Sequence, residues 1–587
     1  MKKNNAFRRA AALIAALSIT VSLAAPAFAD TYYIDYGDIT ITKNEDGSQT
    51  IEQGGDKWTD KAGEETVITT SNTVITTLES DLEGPAAEDS DFGPVVEDNY
   101  QPAQPEDAEK PEGADQPEIA VEPKSADRQE SADQQAVPAA APAGATPVNK
   151  KDDGFWGNTI TVINNIADKV LNLTLKDVKI DVSDTGDQYD WDQKGKAALS
   201  VQGKGNVEIE LDGDNELKSG TQSAGLEKTS TGTLTLKDDN KEAGSLTATG
   251  GFNSAGIGGG YLGDGKNITI TGGTVTATGG SSGAGIGGGR EGKGENITIT
   301  GGTVNATGNE DGAGIGGGSS GSGENITIND GKVTATGGSY AAGIGGGSVG
   351  AWGGDAGSGK NITINGGTVN ATGTDGGAGI GGGENGNGED ITINGGKVNA
   401  SGAYGGAGIG GGVNGIGSKV TVSGAAQVTA TATGSGPDWS GVGTGATIGN
   451  GGSKTPDGPV DGKEIQADIS HLTTGYIHHI IYNPDLDSDG KPDGILKEWW
   501  EFALPKPIPD GESLDLHVET LKVAPLLFNT RQQGSTLRVT TDNLSARLHG
   551  TRQALEALQE QGVEQIQFVP TLKTTTLSVA ELLAEGG

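Results

Sequence analysis

Four aspartates within nine residues are the side chains with the clearest potential for chemistry in this sequence. They occupy positions 1, 3, 5 and 9 of a single loop, as Asp485, Asp487, Asp489 and Asp493. Gly490 stands at position 6, and alternate carboxylates around such a glycine converge on one hard cation in EF-hand-like calcium loops. The twelfth position holds Leu496 in place of glutamate. The pattern predicts a Ca²⁺ site, with a plain aspartate-rich turn as the alternative.

Five aromatic side chains form a second group, because flat apolar rings are surfaces on which sugar rings stack. All five fall in predicted turns beside a repeated Ala-Gly-Ile-Gly-Gly-Gly strand, which we expect to be a floor nearly free of side chains. They are Phe252, Tyr261, Tyr340, Trp352 and Tyr404. The arrangement predicts a shallow carbohydrate-binding groove. In the alternative interpretation the rings only cover the turn backbone.

Catalytic groups do not stand out in the same way. A lyase on a β-helix requires a basic side chain beside acidic ones, and a hydrolase requires two carboxylates about 5–9.5 Å apart. Arg290 is the only arginine between residues 154 and 460, and the acidic residues of the repeats, such as Asp311 and Glu384, fall in different turns. The sequence therefore predicts no enzyme activity and no required cofactor, Ca²⁺ being the one ion that it suggests.

Amino-acid composition and net charge limit the classes of partner that this chain can bind. The chain of 587 residues has no cysteine, so disulfides and thiolate chemistry are excluded. Its net charge of −39 disfavours nucleic acid and anionic membranes as partners. No segment after the N-terminus has the 18 or more apolar residues that a membrane span needs. We expect a glycan, either a polysaccharide or a host or cell-surface glycan, to be the partner.

The elements that position these residues come from an internal repeat. Ala-Gly-Ile-Gly-Gly-Gly occurs six times and returns every 29 residues, except for one interval of 36 around Trp352. A fixed period of this length indicates one supersecondary unit stacked along an axis. The copies begin at Ala255, Ala284, Ala313, Ala342, Ala378 and Ala407.

The apolar pattern within one repeat predicts strands and no helix. Ile297 and Ile299 alternate with threonine, and Val304 and Ala306 alternate with asparagine, so the apolar period is two. Stacking predicts inward columns of isoleucine and valine and an outer ladder of asparagines that begins at Asn267. We therefore predict an all-β parallel β-helix of about nine coils between residues 155 and 455.

Other segments predict export and flanking regions. Lysines and arginines precede an apolar run, and Ala27-Phe28-Ala29 meets the rule for signal cleavage before Asp30. Between Glu79 and Gln135, 18 acidic residues face three basic ones among many prolines, which predicts a disordered spacer. The predicted organisation is a signal peptide (1–29), an N-terminal hairpin and cap (30–78), an acidic linker (79–154), the β-helix (155–455) and a small α+β module (461–587).

The repeats also carry a resemblance. The sequences Leu-Lys-Ser-Gly (217–220), Ser-Leu-Thr-Ala-Thr-Gly-Gly (245–251) and the repeated Ala-Gly-Ile-Gly-Gly-Gly resemble secreted, polysaccharide-binding β-helix proteins of anaerobic Gram-positive bacteria. The resemblance covers residues 155–435. It implies a right-handed parallel β-helix of the pectate-lyase-like fold with carbohydrate-binding or adhesive use, and it assigns no catalytic residue.

We thus expect a secreted or cell-surface, non-catalytic β-helix that binds polysaccharide as an adhesin would. The first alternative is a purely structural stalk that presents the C-terminal module. A polysaccharide lyase or hydrolase is the second. Ice binding is a remote third, through Thr-x-Thr rows such as Thr269/Thr271 and Thr298/Thr300.

Overall fold

The computed structural model describes residues 30–70, 146–190, 192–240, 242–349, 355–434, 441–484, 494–503, 516–521, 525–526, 528–541, 543–571 and 573–585. Several predicted features lie outside these residues. They are the signal peptide (1–29), most of the acidic linker (79–145), Trp352 and the four aspartates Asp485, Asp487, Asp489 and Asp493.

The repeats form a right-handed parallel β-helix, as predicted, and each coil contributes one strand to each of three sheets. Sheet 1 contains Asp30–Tyr33, Thr66–Thr69, Val170–Lys176, the first half of Asn206–Lys218, Leu234–Lys237, Gly265–Ile270, Gly294–Ile299, Gly323–Ile328, Gly359–Ile364, Gly388–Ile393 and Gly417–Val422. Sheet 2 contains Lys179–Asp181, the second half of Asn206–Lys218, Gly244–Thr249, Thr274–Thr278, Thr303–Thr307, Lys332–Thr336, Thr368–Thr372, Lys397–Ser401, Gln427–Thr433, Tyr476–Tyr482 and Ile495–Phe502.

Sheet 3 is built from very short strands. Its parallel members are Ile39–Lys43, Ile160–Asn164, Leu199–Gly203, Leu226–Lys228, Ile257–Gly258, Ile286–Gly287, Ile315–Gly316, Ile344–Gly345, Ile380–Gly381, Ile409–Gly410 and Ile448–Gly449. Among the described residues this gives eleven stacked levels. Ten of them lie between residues 155 and 455, where about nine coils were predicted. The additional level comes from the N-terminal segment.

The interior is an aliphatic column, which confirms the predicted inward positions. Equivalent residues pair in register from coil to coil, for example Ile268 with Ile297 and Val275 with Val304. These columns have no solvent-exposed surface, and they contain Ile268, Ile297, Ile326, Ile362, Ile391, Val275, Val304, Val333, Val369 and Val398. Burial of these side chains on every level supplies the main stabilising free energy of the stack.

The predicted asparagine ladder is also present. Asn267 bends the chain within its strand at a φ of 56°, a left-handed conformation that asparagine tolerates. The side-chain amide of Asn296 donates to Oδ1 of Asn267 at 3.0 Å, and Asn325 donates to Asn296 at 3.1 Å. Asn361 continues the ladder to Asn325 at 3.1 Å. Each bend is thereby tied to the bend of the preceding coil.

The Ala-Gly-Ile-Gly-Gly segments form closed arches rather than open strands. The backbone N–H of Ala313 donates to the carbonyl of Gly317 at 2.9 Å, so the chain enters and leaves each arch side by side. Ile315 lies at the inner tip and is fully buried. Gly316 follows it at a φ of 140°. Consecutive arches stack through backbone bonds, such as that from Ile315 N–H to the carbonyl of Gly343 at 3.0 Å.

The N-terminal segment belongs to the same column. Ile39–Lys43 pairs in parallel with Ile160–Asn164 and in antiparallel with Gln49–Gln53, which pairs in turn with Asp56–Asp60. A 3₁₀ helix, Ile34–Tyr36, precedes this hairpin. Because Ile34, Ile41 and Ile51 are buried in the core of the coils, the predicted hairpin caps the first coil.

At the other end, residues 464–484 and 494–503 cap the last coil. Tyr476–Tyr482 pairs in parallel with Gln427–Thr433 and in antiparallel with Ile495–Phe502. Ile469, Leu472 and Ile477 join the core of the coils. This location differs from the predicted start of the C-terminal module at residue 461. The reason is that the alternating apolar residues of Tyr476–Tyr482 form a strand of sheet 2 and so belong to the β-helix. A short antiparallel pair, Ser453–Thr455 and Gly458–Val460, precedes the cap.

The described residues from 516 onward form the predicted α+β module with its own core. One sheet contains Leu516–Glu519, Pro525–Leu526 and Arg547–Gly550, and a second contains Asn529–Gln533, Thr536–Thr540, Gln565–Val569 and Thr575–Ser578. Helix Arg552–Glu560 is capped by Thr551, which accepts from the N–H of Ala554 at 3.2 Å. A second helix, Val579–Glu585, follows the cap residue Ser578.

Candidate functional site

The arches bring two columns of turn residues next to each other on one side of the β-helix. The residue that follows each arch donates its backbone N–H to the preceding coil. The acceptor there is the carbonyl two residues before the arch alanine of that coil. Arg290 bonds in this way to Asn253 at 2.9 Å, and Glu384 bonds to Tyr340 at 2.7 Å. We call this surface the turn face. Its two columns are Asn253, Ser282, Asp311, Tyr340, Gly376 and Gly405, and Tyr261, Arg290, Ser319, Ser348, Glu384 and Val413.

Four of the five predicted aromatic residues lie on or beside the turn face. Phe252 and Tyr261 are neighbours, because Gln222 donates its N–H to the carbonyl of Phe252 and accepts from the N–H of Tyr261. Tyr340 lies three coils further along, about 14 Å at the spacing of parallel strands, and Tyr404 lies two coils beyond it. All four side chains are partly exposed. The rings therefore form a widely spaced row and not one continuous platform.

The predicted floor of the groove requires a correction. The arch glycines were expected to be exposed, but residues 312–318 and the equivalent residues of the other repeats are buried. The arch folds inward, and the turns before and after it meet above it. A Cβ placed on Gly317 would lie 2.0 Å from the carbonyl oxygen of Gly321, which shows how closely the turn covers the arch. The accessible surface is thus made by the turns themselves.

Charged groups on the turn face were not recognised as a group in the sequence. Burial raises the pKa of Asp311, and the hydroxyl of Ser348, 3.3 Å away, and the charge of Arg290 oppose that rise. Burial also raises the pKa of Glu384, and the nearby Asp311 raises it further. Both carboxylates therefore interact on one surface, although they belong to different turns.

The repeat itself contains the signal that would have revealed this grouping. Asp311 stands two residues before the arch alanine of its coil, and Glu384 stands six residues after the alanine of its own coil. These two positions adjoin each other because the arch closes. Tyr340 lies beside Glu384, whose backbone N–H donates to the carbonyl of Tyr340 at 2.7 Å. Burial raises the pKa of the Tyr340 hydroxyl, and the charges of Asp375, Glu384 and Asp311 raise it further.

The other outer surfaces differ in character. On sheet 1, charged side chains pair along the axis, for example Lys266 with Glu295 at 3.1 Å and Lys360 with Glu389 at 3.7 Å. The predicted threonine rows begin there. Thr269 lies within a strand of sheet 1, and Thr271 lies in the corner that follows it. Ice binding through these rows stays a prediction.

The described part of the chain contains neither a metal-binding cluster nor a helix that could span a membrane. Within it, no group of three or more His, Asp or Glu side chains is arranged to hold a metal ion. The helices described there are all too short or too polar to cross a bilayer. The predicted Ca²⁺ loop lies outside the described residues and stays a prediction.

The chain matches a family model described as beta helix repeat. The matched residues are 242–261, 268–290, 297–319, 326–348, 362–384 and 391–413. Five of the six segments begin at an inward isoleucine of sheet 1, and all six end at the second column of the turn face. Neither a curated protein nor a solved structure matches the chain. The matched coils are those that carry Tyr261, Arg290, Asp311, Tyr340 and Glu384.

Proposed function

We propose that this β-helix repeat protein is secreted or held at the cell surface and binds polysaccharide along the turn face without catalysing a reaction. The observation that carries the proposal is the row of partly exposed aromatic rings at Tyr261, Tyr340 and Tyr404, interleaved with polar and charged groups. Rings supply stacking surfaces, and carboxylates, hydroxyls and Arg290 supply hydrogen bonds to sugar hydroxyls. An extended chain fits such a row better than a single sugar.

Secretion and surface location rest on the leader sequence. Cleavage after Ala29 would leave Asp30 as the first residue, which is also the first residue of a strand of sheet 1. The mature chain would therefore keep its N-terminal cap intact. N-terminal sequencing of the protein recovered from culture medium tests this part of the proposal, and an N-terminus other than Asp30 contradicts it.

Glycan binding is tested by removing two rings from the turn face. We expect Tyr340→Ala combined with Tyr404→Ala to weaken binding to the polysaccharide that the mature chain retains on a glycan array by about tenfold or more. Both tyrosines have positive φ, 64° and 47°, and alanine bears the same backbone strain as tyrosine there, so the coils should stay folded. Isothermal titration with that polysaccharide measures the change.

Tyr189→Ala is the matched control, because this tyrosine lies away from the repeats and is 85% exposed. Equal affinity of the double variant and the control would contradict the turn-face proposal. Retention of no glycan by the mature chain would favour the structural stalk instead. Release of reducing ends or unsaturated products from a bound polysaccharide would contradict the non-catalytic assignment.

A further inference from the structure

A cavity at the C-terminal cap is the strongest further feature of the molecule. It has a volume of about 450 Å³, within the range of small-molecule sites. The last coil, the segment that crosses its end and the final hairpin all contribute to its wall. The lining residues are Thr444, Gly445, Asp461, Gly462, Glu464, Ile481, Leu496 and Lys497. None of these residues belongs to the two columns of the turn face, and the ligand inferred below does not depend on glycan binding.

A β-bulge gives the cavity two of its side chains. Ile481 pairs with Lys497, but Tyr482 pairs with Ile495, so Leu496 is an extra residue in its strand. Neighbouring residues of a regular strand face opposite sides, whereas a bulge re-aims them. Leu496 and Lys497 therefore line the same cavity. Leu496 is 60% exposed, which is unusual for a leucine at the mouth of a concave site.

The cavity contains one cation that lacks a carboxylate partner among the described residues. Lys497 Nζ lies 4.3 Å from the centre of the Trp499 ring, and no described carboxylate oxygen lies within 4 Å of it. Two carboxylates, those of Asp461 and Glu464, also line the cavity. Asp461 uses Oδ1 to accept the N–H of Thr444 at 2.9 Å, and it is exposed.

Glu464 is held in place by the protein itself. It accepts the N–H of Thr447 at 2.7 Å, the Thr447 hydroxyl at 3.1 Å and the N–H of Ile448 at 3.1 Å. Burial raises the pKa of its carboxyl group, and these hydrogen bonds and the nearby charge of Lys497 oppose the rise. Both oxygens of the Glu464 carboxylate thus already accept hydrogen bonds from Thr447 or Ile448. Asp461 and Lys497 remain as the two charged groups available to a ligand.

We propose that this cavity binds a small zwitterion with an apolar body, such as a free aliphatic α-amino acid. Its carboxylate would meet the ammonium group of Lys497, and its ammonium group would meet the carboxylate of Asp461. Ile481 and Leu496 would cover the apolar side chain. A simple anion would leave Asp461 without a cationic partner, and a simple cation would leave Lys497 without an anion within hydrogen-bond distance, so neither pairs both available charges.

The test is isothermal titration of the mature chain with L-leucine. We expect binding that Lys497→Gln weakens by about tenfold or more, because a hydrogen-bonded charge is lost. Asp461→Asn should weaken it similarly, and its Oδ1 can still accept from Thr444. Lys463→Gln, an exposed neighbour that does not line the cavity, serves as the matched control and should bind as the wild type does.

Two analogues separate the charges. We expect 4-methylpentanoate, which lacks the ammonium group, and 3-methylbutylamine, which lacks the carboxylate, to bind at least about tenfold more weakly than L-leucine. Absence of leucine binding, equal binding of either analogue, or unchanged affinity in Lys497→Gln would overturn the proposal. The Tyr340→Ala and Tyr404→Ala double variant should bind leucine normally, so failure of the turn face leaves this result unaffected.

Discussion

Replacement of Gly316 by alanine is expected to lower the free energy of unfolding by on the order of 4 kcal/mol. Gly316 follows the buried tip of its arch at a φ of 140°, where a side chain is strained. A Cβ there would lie 1.9 Å from the carbonyl oxygen of Gly345 in the next arch. Backbone atoms on that side cannot yield without breaking the stack. The coils before and after would lose their contact with each other.

The measurement is urea unfolding followed by far-ultraviolet circular dichroism. Gly458→Ala is the matched control, because Gly458 also has a positive φ, 125°, but no atom lies within 4 Å of the position of its Cβ. We expect that control to cost about 1 kcal/mol, from backbone strain alone. Equal midpoints for the two variants would contradict close stacking of the arches.

Replacement of Lys228 by methionine is expected to stabilise the protein at neutral pH. Lys228 follows Leu226 in sheet 3 and is only 3% exposed, and its ammonium group donates to the carbonyl of Ser230 at 2.7 Å. Burial lowers the pKa of Lys228 from 10.5 to about 8. The folded chain therefore binds this proton more weakly than the unfolded chain, at a cost of roughly 3 kcal/mol below pH 8.

The destabilisation caused by Lys228 depends on pH. Between about pH 8 and 10.5 the unfolded chain holds the proton more fully, so the penalty fades as the pH rises through this interval. We expect Lys228→Met to be more stable than wild type by about 1–3 kcal/mol at pH 7, because loss of the bond to Ser230 offsets part of the gain. The difference should shrink by pH 10.

Urea unfolding of both proteins at pH 7 and at pH 10 measures this effect. Lys397→Met, at an exposed position of sheet 2, is the control and should show little difference at either pH. A difference between Lys228→Met and wild type that stays constant with pH would contradict the assignment of a buried, destabilising charge.

The regular part of the fold was predictable because the same pattern of apolar residues recurs in every repeat. Alternation of apolar residues fixed the inward isoleucine and valine columns, and the asparagine at each bend predicted the ladder from Asn267 to Asn361. The N-terminal hairpin and the capped helices of the C-terminal module were predictable from local turn and capping residues. These features depend on short-range or strictly repeated contacts.

The arch and the cap were not predictable in the same way. The Ala-Gly-Ile-Gly-Gly-Gly sequence alternates like a strand, and only the bond from Ala313 N–H to the Gly317 carbonyl reveals that it closes. Asp311 and Glu384 meet on the turn face for that reason. The pairing of Tyr476–Tyr482 with Gln427–Thr433 spans a long chain separation, and a bulge at Leu496 is set by its partner strand.

The hairpins at the two ends of the column have a consequence for self-association. A bare last coil would present a row of unpaired backbone groups on which a second copy could add, and growth could continue into a fibre. Gln49–Gln53 and Asp56–Asp60 cover sheet 3 at one end, and Ile495–Phe502 covers sheet 2 at the other. These hairpins therefore oppose the addition of a second copy to sheet 3 at the first coil and to sheet 2 at the last coil.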